Sequence, residues 1–189
     1  MIRANITQEE SILQNLETWC YEVGSKFEKM GREAALDFIK YIISPYILEL
    51  GAGDGSSSKT FVKNEKFVIA IDINYEKLKA IPSPIITWEA DMLEALEILK
   101  DNSVSNVFAH HSLEHVVKAQ EVINEISRVT KSKGFFYAIV PADDYLHSVH
   151  HVVFESAEEL LPPGFKPIKM EKQLRNELEF ICVAQKLVL

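Results

Sequence analysis

The first part of the chain has the apolar periodicity of amphipathic helices. Thr7 and Glu10 have the spacing of a capping box, and apolar residues recur behind them at helical spacing over residues 12–27. A second amphipathic stretch covers residues 32–43. It ends at Ser44 because the residue before a proline disfavours the α conformation. The pattern therefore predicts two N-terminal helices.

From residue 46 onward, short apolar runs alternate with helical stretches. The apolar runs predict β-strands at residues 46–50, 67–71, 85–88, 104–109 and 135–140. The stretches between them predict helices at residues 57–62, 75–81, 92–99 and 119–130. The remainder predicts a polar loop, a short helix near 156–161 and two strands at 166–170 and 178–186. Alternating strands and helices predict a mostly parallel sheet with helices on both faces.

Composition and charge restrict the possible classes of protein. The chain has 189 residues, of which 47% are hydrophobic and 25% charged, as expected for one globular domain. Its net charge of −8 disfavours non-specific binding to nucleic acid or to anionic membranes. The two cysteines, Cys20 and Cys182, have no metal-binding spacing and fit a reducing compartment. No apolar stretch is long enough to span a bilayer. We expect a cytoplasmic, single-domain protein.

A glycine-rich segment follows the first predicted strand of the sheet. Residues 47–55 run Ile-Leu-Glu-Leu-Gly-Ala-Gly-Asp-Gly, an apolar strand followed by glycines at alternate positions and then by a helix. Glycine is needed where the chain turns tightly or where the backbone approaches a ligand closely. A loop of this kind at the carboxyl end of a strand predicts a cradle for a nucleotide or cofactor.

Two cofactor classes compete for this loop. The dinucleotide motif requires a third glycine where this chain has Ser56, and the acid Glu49 would repel a pyrophosphate but suits an amino group. Asp72 ends the second strand, 21 residues after Gly51, where an acid accepts hydrogen bonds from ribose hydroxyls. A ribose and an amine without a pyrophosphate describe S-adenosylmethionine. A nicotinamide cofactor is the alternative.

The chain resembles the class I S-adenosylmethionine-dependent methyltransferases, in particular the small-domain group that includes the ubiquinone-biosynthesis methyltransferases. Five segments carry the resemblance in the family's order: residues 49–55, 71–74 (Ile-Asp-Ile-Asn), 89–92 (Glu-Ala-Asp-Met), 112–116 (Ser-Leu-Glu-His-Val) and 125–129 (Glu-Ile-Ser-Arg-Val). The chain departs from the family at Ser105-Asn106, where an acid is usual, and at Ser132-Lys133-Gly134, where Pro-Gly-Gly is usual.

The resemblance implies an α/β fold with a Rossmann-like, doubly wound sheet of seven strands. The sheet is expected to be mostly parallel, with an antiparallel last strand and helices on both faces. One methyltransferase domain, residues 1–189, would consist of a helical cap (1–45), a cofactor-binding core (46–140), and a substrate loop with a terminal hairpin (141–189).

The resemblance also implies S-adenosylmethionine as the cofactor. Within this fold Asp91 is expected near the adenine amine, and Arg32 is a candidate partner for the methionine carboxylate of the cofactor. The predicted cofactor-binding residues are Arg32, Glu49, Gly51, Ala52, Gly53, Gly55, Asp72, Ile73, Asp91 and Met92.

All six histidines fall in two clusters that follow the fourth and fifth strands, at the edge of the sheet where ligands bind. Three roles stay open: packing, substrate contact with general-base catalysis, or metal binding, since imidazole is a common metal ligand. His115 is expected to pack or hydrogen-bond at a helix start. We name as catalytic candidates His110, His111, His147, His150 and His151, and assign no metal site.

The sequence therefore predicts methyl transfer from S-adenosylmethionine to a small or medium-sized molecule. Two other functions stay open at this point, a nicotinamide-dependent oxidoreductase and a catalytically silent cofactor-binding or regulatory subunit. The expected partner is a small-molecule substrate and not a nucleic acid or a membrane.

Overall fold

The structure, a computed structural model, describes residues 1–18, 25–142, 150–174 and 178–188. Within these residues the α-helices are α1 (Gln8–Thr18), α2 (Ser25–Ile39), α3 (Ser56–Lys63), α4 (Tyr75–Leu78), α5 (Met92–Ile98) and α6 (Ala119–Val129). The strands are β1 (Ile2–Arg3), β2 (Tyr46–Leu50), β3 (Phe67–Asp72), β4 (Ile86–Glu89), β5 (Val104–His110), β6 (Thr130–Pro141), β7 (Val152–Val153), β8 (Phe165–Leu174) and β9 (Leu178–Lys186). Short 3₁₀ helices cover Leu113–His115 and Ala157–Leu160.

Seven strands form one sheet in the order β4-β3-β2-β5-β6-β9-β8. The strands from β4 to β6 are parallel, whereas β9 runs antiparallel to β6 and pairs with β8 as an antiparallel hairpin. The central strands are continuous apolar runs because helices cover both faces of the sheet. The predicted Rossmann-like sheet with antiparallel last strands is confirmed.

Each face of the sheet carries its own hydrophobic layer. On one face the buried side chains of α5 and α6, such as Leu96 and Ile123, pack against the sheet. On the other face Phe38 of α2 and Phe61 of α3 enclose Phe108 of β5, with ring centroids 5.7 and 5.0 Å from it. Aromatic pairs at these distances add to the stability that area burial provides. The two layers fix the strand ends at which the functional site lies.

Most predicted element boundaries hold within two residues, but those of α2, α4, β6 and β8 differ by more, and α2 begins at Ser25 instead of residue 32. The capping box before α1 is present, since the Glu10 amide donates to Thr7 Oγ1 over 3.2 Å and the Thr7 amide donates to Glu10 Oε2 over 2.8 Å. Helix α2 ends at Ile39, before the predicted residue 43, because the next amides make tighter i→i−3 bonds. Strand β6 begins at Thr130, five residues early, because the expected turn is an irregularity inside the strand, with φ of 65° at Lys133.

The N-terminal segment is tied to a distant part of the chain. Strand β1 pairs antiparallel with β7, and the Ala4 amide donates to the His151 carbonyl over 2.7 Å. The N-terminal ammonium of Met1 binds the carboxylates of Glu155 and Glu159. These contacts hold α1 across the carboxyl edge of the large sheet. No helix in the described residues is long and apolar enough to cross a membrane.

Asn106 connects three backbone segments below the site, and its replacement is expected to destabilise the fold. The buried Asn106 amide donates to the carbonyls of Ser44 (3.0 Å) and Tyr46 (2.8 Å) and accepts from the Phe135 amide (3.4 Å). Asn106→Ala should lower the free energy of unfolding by about 2–4 kcal/mol, because buried partners lose their bonds. The measurement is urea unfolding, with exposed Asn124→Ala as the control expected within about 0.5 kcal/mol of the parent. Equal stability of the two variants would contradict this role.

Candidate active site

The glycine loop between β2 and α3 is tied to the end of β3. The amides of Gly51 and Ala52 both donate to the Ile71 carbonyl over 2.9 Å. Gly51 has a φ of +71°, and a Cβ there would lie 2.3 Å from the Cβ of Ser112. Glycine is therefore required at Gly51 for the close approach of the loop that follows β5, as well as for its left-handed backbone.

Gly53 is the glycine that opens onto the cleft described below. Its φ is +53°, and a Cβ there would meet no atom within 4 Å. Gly55, by contrast, packs against Ile81, whose side-chain atoms would lie 2.9 Å from an added Cβ. The alternate glycines thus serve different purposes. Gly53 lines the cleft and Gly55 does not. Gly55 instead closes the loop against the protein.

Asp72 at the end of β3 holds the loop in place. Its Oδ2 accepts from the Gly53 amide and its Oδ1 from the Asn74 amide, both over 2.8 Å. Burial raises the pKa of the Asp72 carboxyl, against the lowering effect of these two hydrogen bonds. Asp72 is therefore a structural anchor of the loop as well as a residue that lines the cleft.

Asp91 caps α5 and binds the N-terminal helix. Its Oδ1 accepts from the amides of Leu93 (2.8 Å) and Glu94 (3.3 Å), which satisfies the first turn of the helix. Its Oδ2 accepts from the Gln8 side-chain amide over 2.9 Å. The acid predicted near adenine is therefore shared with α1, which makes α1 one wall of the cleft.

The cleft lies at the carboxyl ends of the parallel strands and, counted to its open mouth, encloses about 650 Å³. The predicted cofactor residues that line it are Gly51, Gly53, Asp72, Ile73, Asp91 and Met92. Ala52 does not line it, because its side chain packs in the layer under the loop.

Glu49 and Arg32 are not brought to the cleft wall. The Glu49 carboxyl is buried and binds the Ser58 hydroxyl at the start of α3. Burial raises the pKa of this carboxyl to about 8, so it offers no negative charge to an amino group at neutral pH. Arg32 is exposed on α2, because its helical position faces solvent and not the sheet. Neither residue lines the cleft, and the ligand contacts predicted for them stay predictions.

Among the histidines that the structure describes, His111 and His115 line the cleft. His111 follows β5 with a φ of 49°, and its Nε2 lies 2.8 Å from Oε1 of the buried Glu179 on β9. Because a carboxylate only accepts, this contact places a proton on Nε2 and the lone pair of the neutral ring on Nδ1. The pair is a histidine oriented by a carboxylate.

The other predicted catalytic histidines lie off the cleft or outside the described residues. His110 points to the opposite layer, its ring stacked on Phe108 with centroids 6.3 Å apart. His151 is buried, its backbone bonded to Glu114 and Ala4, and burial lowers the pKa of its imidazole. His150 does not line the cleft but lies beside His115, with ring centroids 5.1 Å apart. His147 falls outside the described residues.

Several functional residues were not predicted from the sequence. Gln8, Ile12 and Leu16 of α1 line the cleft together with Lys77, and Glu179 orients His111. The signal for Ile12 and Leu16 was present as the apolar stripe of α1, but a stripe of this kind is equally typical of core packing. Gln8 and Glu179 had no local signal, because each acts on a residue far away in the chain.

Glu49 makes a pH-dependent contribution to stability that can be measured. In the folded protein its pKa of about 8 exceeds the ordinary value of 4.5, so the folded state keeps a proton that the unfolded state releases between these values. The free energy of unfolding should therefore fall as pH rises through this window, by at most about 1.4 kcal/mol per pH unit. Glu49→Gln should remove the Glu49 part of this fall and leave the part due to Asp72, whose pKa is also raised, while the exposed Glu97→Gln should keep the whole fall. Urea unfolding from pH 5 to 8.5 measures both, and a parallel decline in all three proteins would contradict the assignment.

Comparison with known proteins agrees with this site. A family model described as a methyltransferase domain matches residues 48–138, which include the glycine loop, Asp72, Asp91 and both cleft histidines. No curated sequence matches the chain significantly.

Solved structures share the fold at low sequence identity. A SAM-dependent methyltransferase from Archaeoglobus fulgidus has a TM-score of 0.72 and 16% identity, covering 84% of this chain and 94% of that one. The Burkholderia thailandensis 1,6-didemethyltoxoflavin-N1-methyltransferase, with 1,6-didemethyltoxoflavin and S-adenosylhomocysteine bound, has a TM-score of 0.75 and 16% identity, covering 100% and 94%. The [4+2]-cyclase SpnF has a TM-score of 0.72 and 13% identity, covering 100% and 99%.

At such identities these structures show the fold alone, and one of them is described as a cyclase. The family model adds methyl transfer as the activity, and together with the neighbour that holds S-adenosylhomocysteine it supports S-adenosylmethionine as the cofactor in place of a nicotinamide. On these grounds residues 48–138 form a domain of the class I S-adenosylmethionine-dependent methyltransferases, enzymes that take a methyl group from that cofactor.

Proposed function

We propose that the enzyme methylates a small or medium-sized molecule that enters the cleft beside His111. The observation that carries this proposal is the position of His111 and His115 in the same cleft as Gly51, Gly53 and Asp72. The cofactor loop and two imidazoles therefore face one enclosed space. Helix α1 covers that space, which favours an acceptor small enough to fit beneath it.

The residues that line the cleft fit S-adenosylmethionine. Gly53 leaves open space where a side chain would stand, and Asp72 and Asp91 place carboxylates at the ends of neighbouring strands. We expect Asp72 to accept from the ribose hydroxyls, and Asp91 with Met92 and Ile73 to surround the adenine. Each carboxylate has about four lone-pair sites, which is more than the hydrogen bonds that Asp72 and Asp91 accept within the protein.

The reaction requires an aligned nucleophile and a place for its proton. The bound cofactor supplies a methyl group on a sulfonium; the acceptor's lone pair bonds to the methyl carbon, and the C–S electron pair returns to sulfur to leave S-adenosylhomocysteine. His111 holds its lone pair on Nδ1 because Glu179 fixes the proton on Nε2. We infer that His111 takes the acceptor's proton as general base, with Glu179 as its positioning residue.

The size class of the acceptor is tested by fractionating a cell extract. Full-length enzyme is incubated with methyl-labelled S-adenosylmethionine and either the small-molecule or the macromolecular fraction. Label should appear in products of the small-molecule fraction. Label in nucleic acid or protein alone would contradict the proposal. Cofactor binding without transfer to any fraction would favour a silent subunit instead.

The location in the cytoplasm and the likeness to the ubiquinone-biosynthesis group stay predictions.

Gly53→Val should abolish cofactor binding, because a β-branched side chain would fill the open space of the cradle. Gly164→Val is a matched control, since Gly164 also has a positive φ (+75°) and an added Cβ would also meet nothing within 4 Å, but it lies away from the cleft. Both variants carry comparable backbone strain. Calorimetric titration with S-adenosylhomocysteine should show binding to Gly164→Val only. Equal binding by both variants would refute the cradle.

His111→Gln should lower kcat by about 10²–10⁴-fold, the usual loss when a general base is removed. Glu179→Gln should lower kcat by a smaller factor, because the amide no longer favours the imidazolium form that arises when His111 takes a proton. The acceptor found by extract fractionation is used, and S-adenosylhomocysteine affinity should stay at the parental level in both variants. Parental kcat in His111→Gln would exclude His111 as the base.

A further inference from the structure

We propose that Glu114, His115 and His150 bind a divalent transition-metal ion beside the cleft, and that this ion holds a hydroxyl oxygen of the methyl acceptor. The first part stands on the geometry of these side chains. The second part rests on the function proposed above.

The three side chains are close enough to share one ion. Each offers one ligand atom, and the three atoms lie within 4.8 Å of one another. Glu114 Oε1 is 3.8 Å from His115 Nε2, which is too long for a hydrogen bond. Two ligands that bind one tetrahedral ion at about 2.1 Å are about 3.4 Å apart, so a small inward movement would place these atoms at coordination distance.

The chemistry of the set suits a borderline metal. Two imidazoles and one carboxylate are ligands for Zn²⁺, Mn²⁺, Fe²⁺ or Ni²⁺, whereas Mg²⁺ and Ca²⁺ prefer oxygen ligands alone. The Glu114 carboxyl is 2% exposed and His115 is also buried. A buried carboxylate is stabilised by a cation that it contacts directly. Three protein ligands would leave a coordination position for a substrate atom, as catalytic sites require.

The backbone around the cluster holds the ligands in place. Glu114 and His115 lie on the 3₁₀ helix that follows β5, and the Ser11 hydroxyl of α1 donates to the His115 carbonyl over 2.8 Å. The His151 amide donates to the Glu114 carbonyl over 2.7 Å, which fixes the neighbouring His150 next to this helix. Three segments distant in sequence therefore converge on the cluster, and the ligands are positioned before any ion arrives.

A second group, His110, His111 and Glu179, also has metal-binding residue types. Its closest atoms, His111 Nε2 and Glu179 Oε1, are 2.8 Å apart and form a hydrogen bond with each other. Metal binding there would have to break this bond. His111 Nδ1 instead faces Glu114 Oε1 at 3.8 Å, which places the proposed base beside the proposed ion. We therefore assign the ion to Glu114, His115 and His150.

The position of the ion predicts the class of acceptor. His115 lines the cleft, so a ligand bound to the ion there would lie next to the cofactor space. A divalent ion lowers the pKa of a hydroxyl that it binds. The hydroxyl proton would pass to His111, the oxygen lone pair would bond to the methyl carbon, and the C–S pair would return to the cofactor sulfur. The metal keeps its oxidation state throughout. The expected acceptor is a small molecule with a hydroxyl group that can reach the ion.

The metal site is tested on the full-length protein without substrate. Protein freed of metal with a chelator is titrated with Co²⁺, followed by calorimetry and visible absorption. One Co²⁺ should bind per chain. Glu114→Gln and the half-buried His150→Gln should each weaken Co²⁺ binding by more than about 100-fold, the upper range for loss of an outer-shell partner alone. His110→Gln and the exposed Glu97→Gln serve as controls and should bind Co²⁺ like the parent.

The outcomes separate the metal site from the methyltransferase function. S-adenosylhomocysteine binding and thermal unfolding are measured on the same samples, so that a variant that fails to fold is recognised. If the buried Glu114→Gln variant does not fold, the half-buried His150→Gln variant alone tests the metal site. Cofactor binding without Co²⁺ binding, or equal Co²⁺ binding by all variants, would overturn the metal site and leave the proposed function standing. Loss of Co²⁺ binding in His110→Gln alone would move the ion to the other group and also overturn the assignment. Transfer to a hydroxyl acceptor that persists after chelation would overturn the second part.

Discussion

The bond between the Asp72 carboxylate and the Gly53 amide is the contact on which the active site depends. It joins the glycine loop to the end of β3, and the paired bonds from Gly51 and Ala52 to the Ile71 carbonyl act at the same junction. The junction lies where the parallel strands β2 and β3 end. The spacing of these two strands therefore sets the width of the space beside the glycine loop. Asp72, which is predicted to bind the ligand, therefore also shapes the site that the ligand enters.

The N-terminal segment completes the cleft from outside the sheet. Gln8 binds Asp91 and Ser11 binds the His115 carbonyl, so α1 contacts both the predicted adenine side and the histidine side of the cleft. The pairing of β1 with β7 holds this segment in place. We therefore expect cofactor enclosure and substrate selection to depend on the same helix.

Buried ionisable groups are concentrated around the carboxyl ends of β5 and β6. Glu114, Glu179 and His111 are all buried within a few ångströms of one another, an expensive arrangement that stability alone does not explain. Titratable groups that orient one another at a cleft are typical of catalysis. Glu49 is the contrasting case, because its carboxyl is buried away from the cleft, bonds to the Ser58 hydroxyl and has a pKa that burial raises to about 8.

The sequence by itself determined the sheet, the glycine loop and the position of Asp72, because strand periodicity, glycine spacing and strand ends are local properties of the chain. It also placed His111 and His115 at the edge of the sheet where the cleft lies. It did not separate His111, which lines the cleft, from His110, which faces the opposite layer, although the two are adjacent. It assigned ligand contacts to Arg32 and Glu49, neither of which lines the cleft. Only the tertiary structure brought Gln8 to Asp91 and Glu179 to His111, since each pair joins segments far apart in sequence and is created by helix and strand packing that no local pattern records.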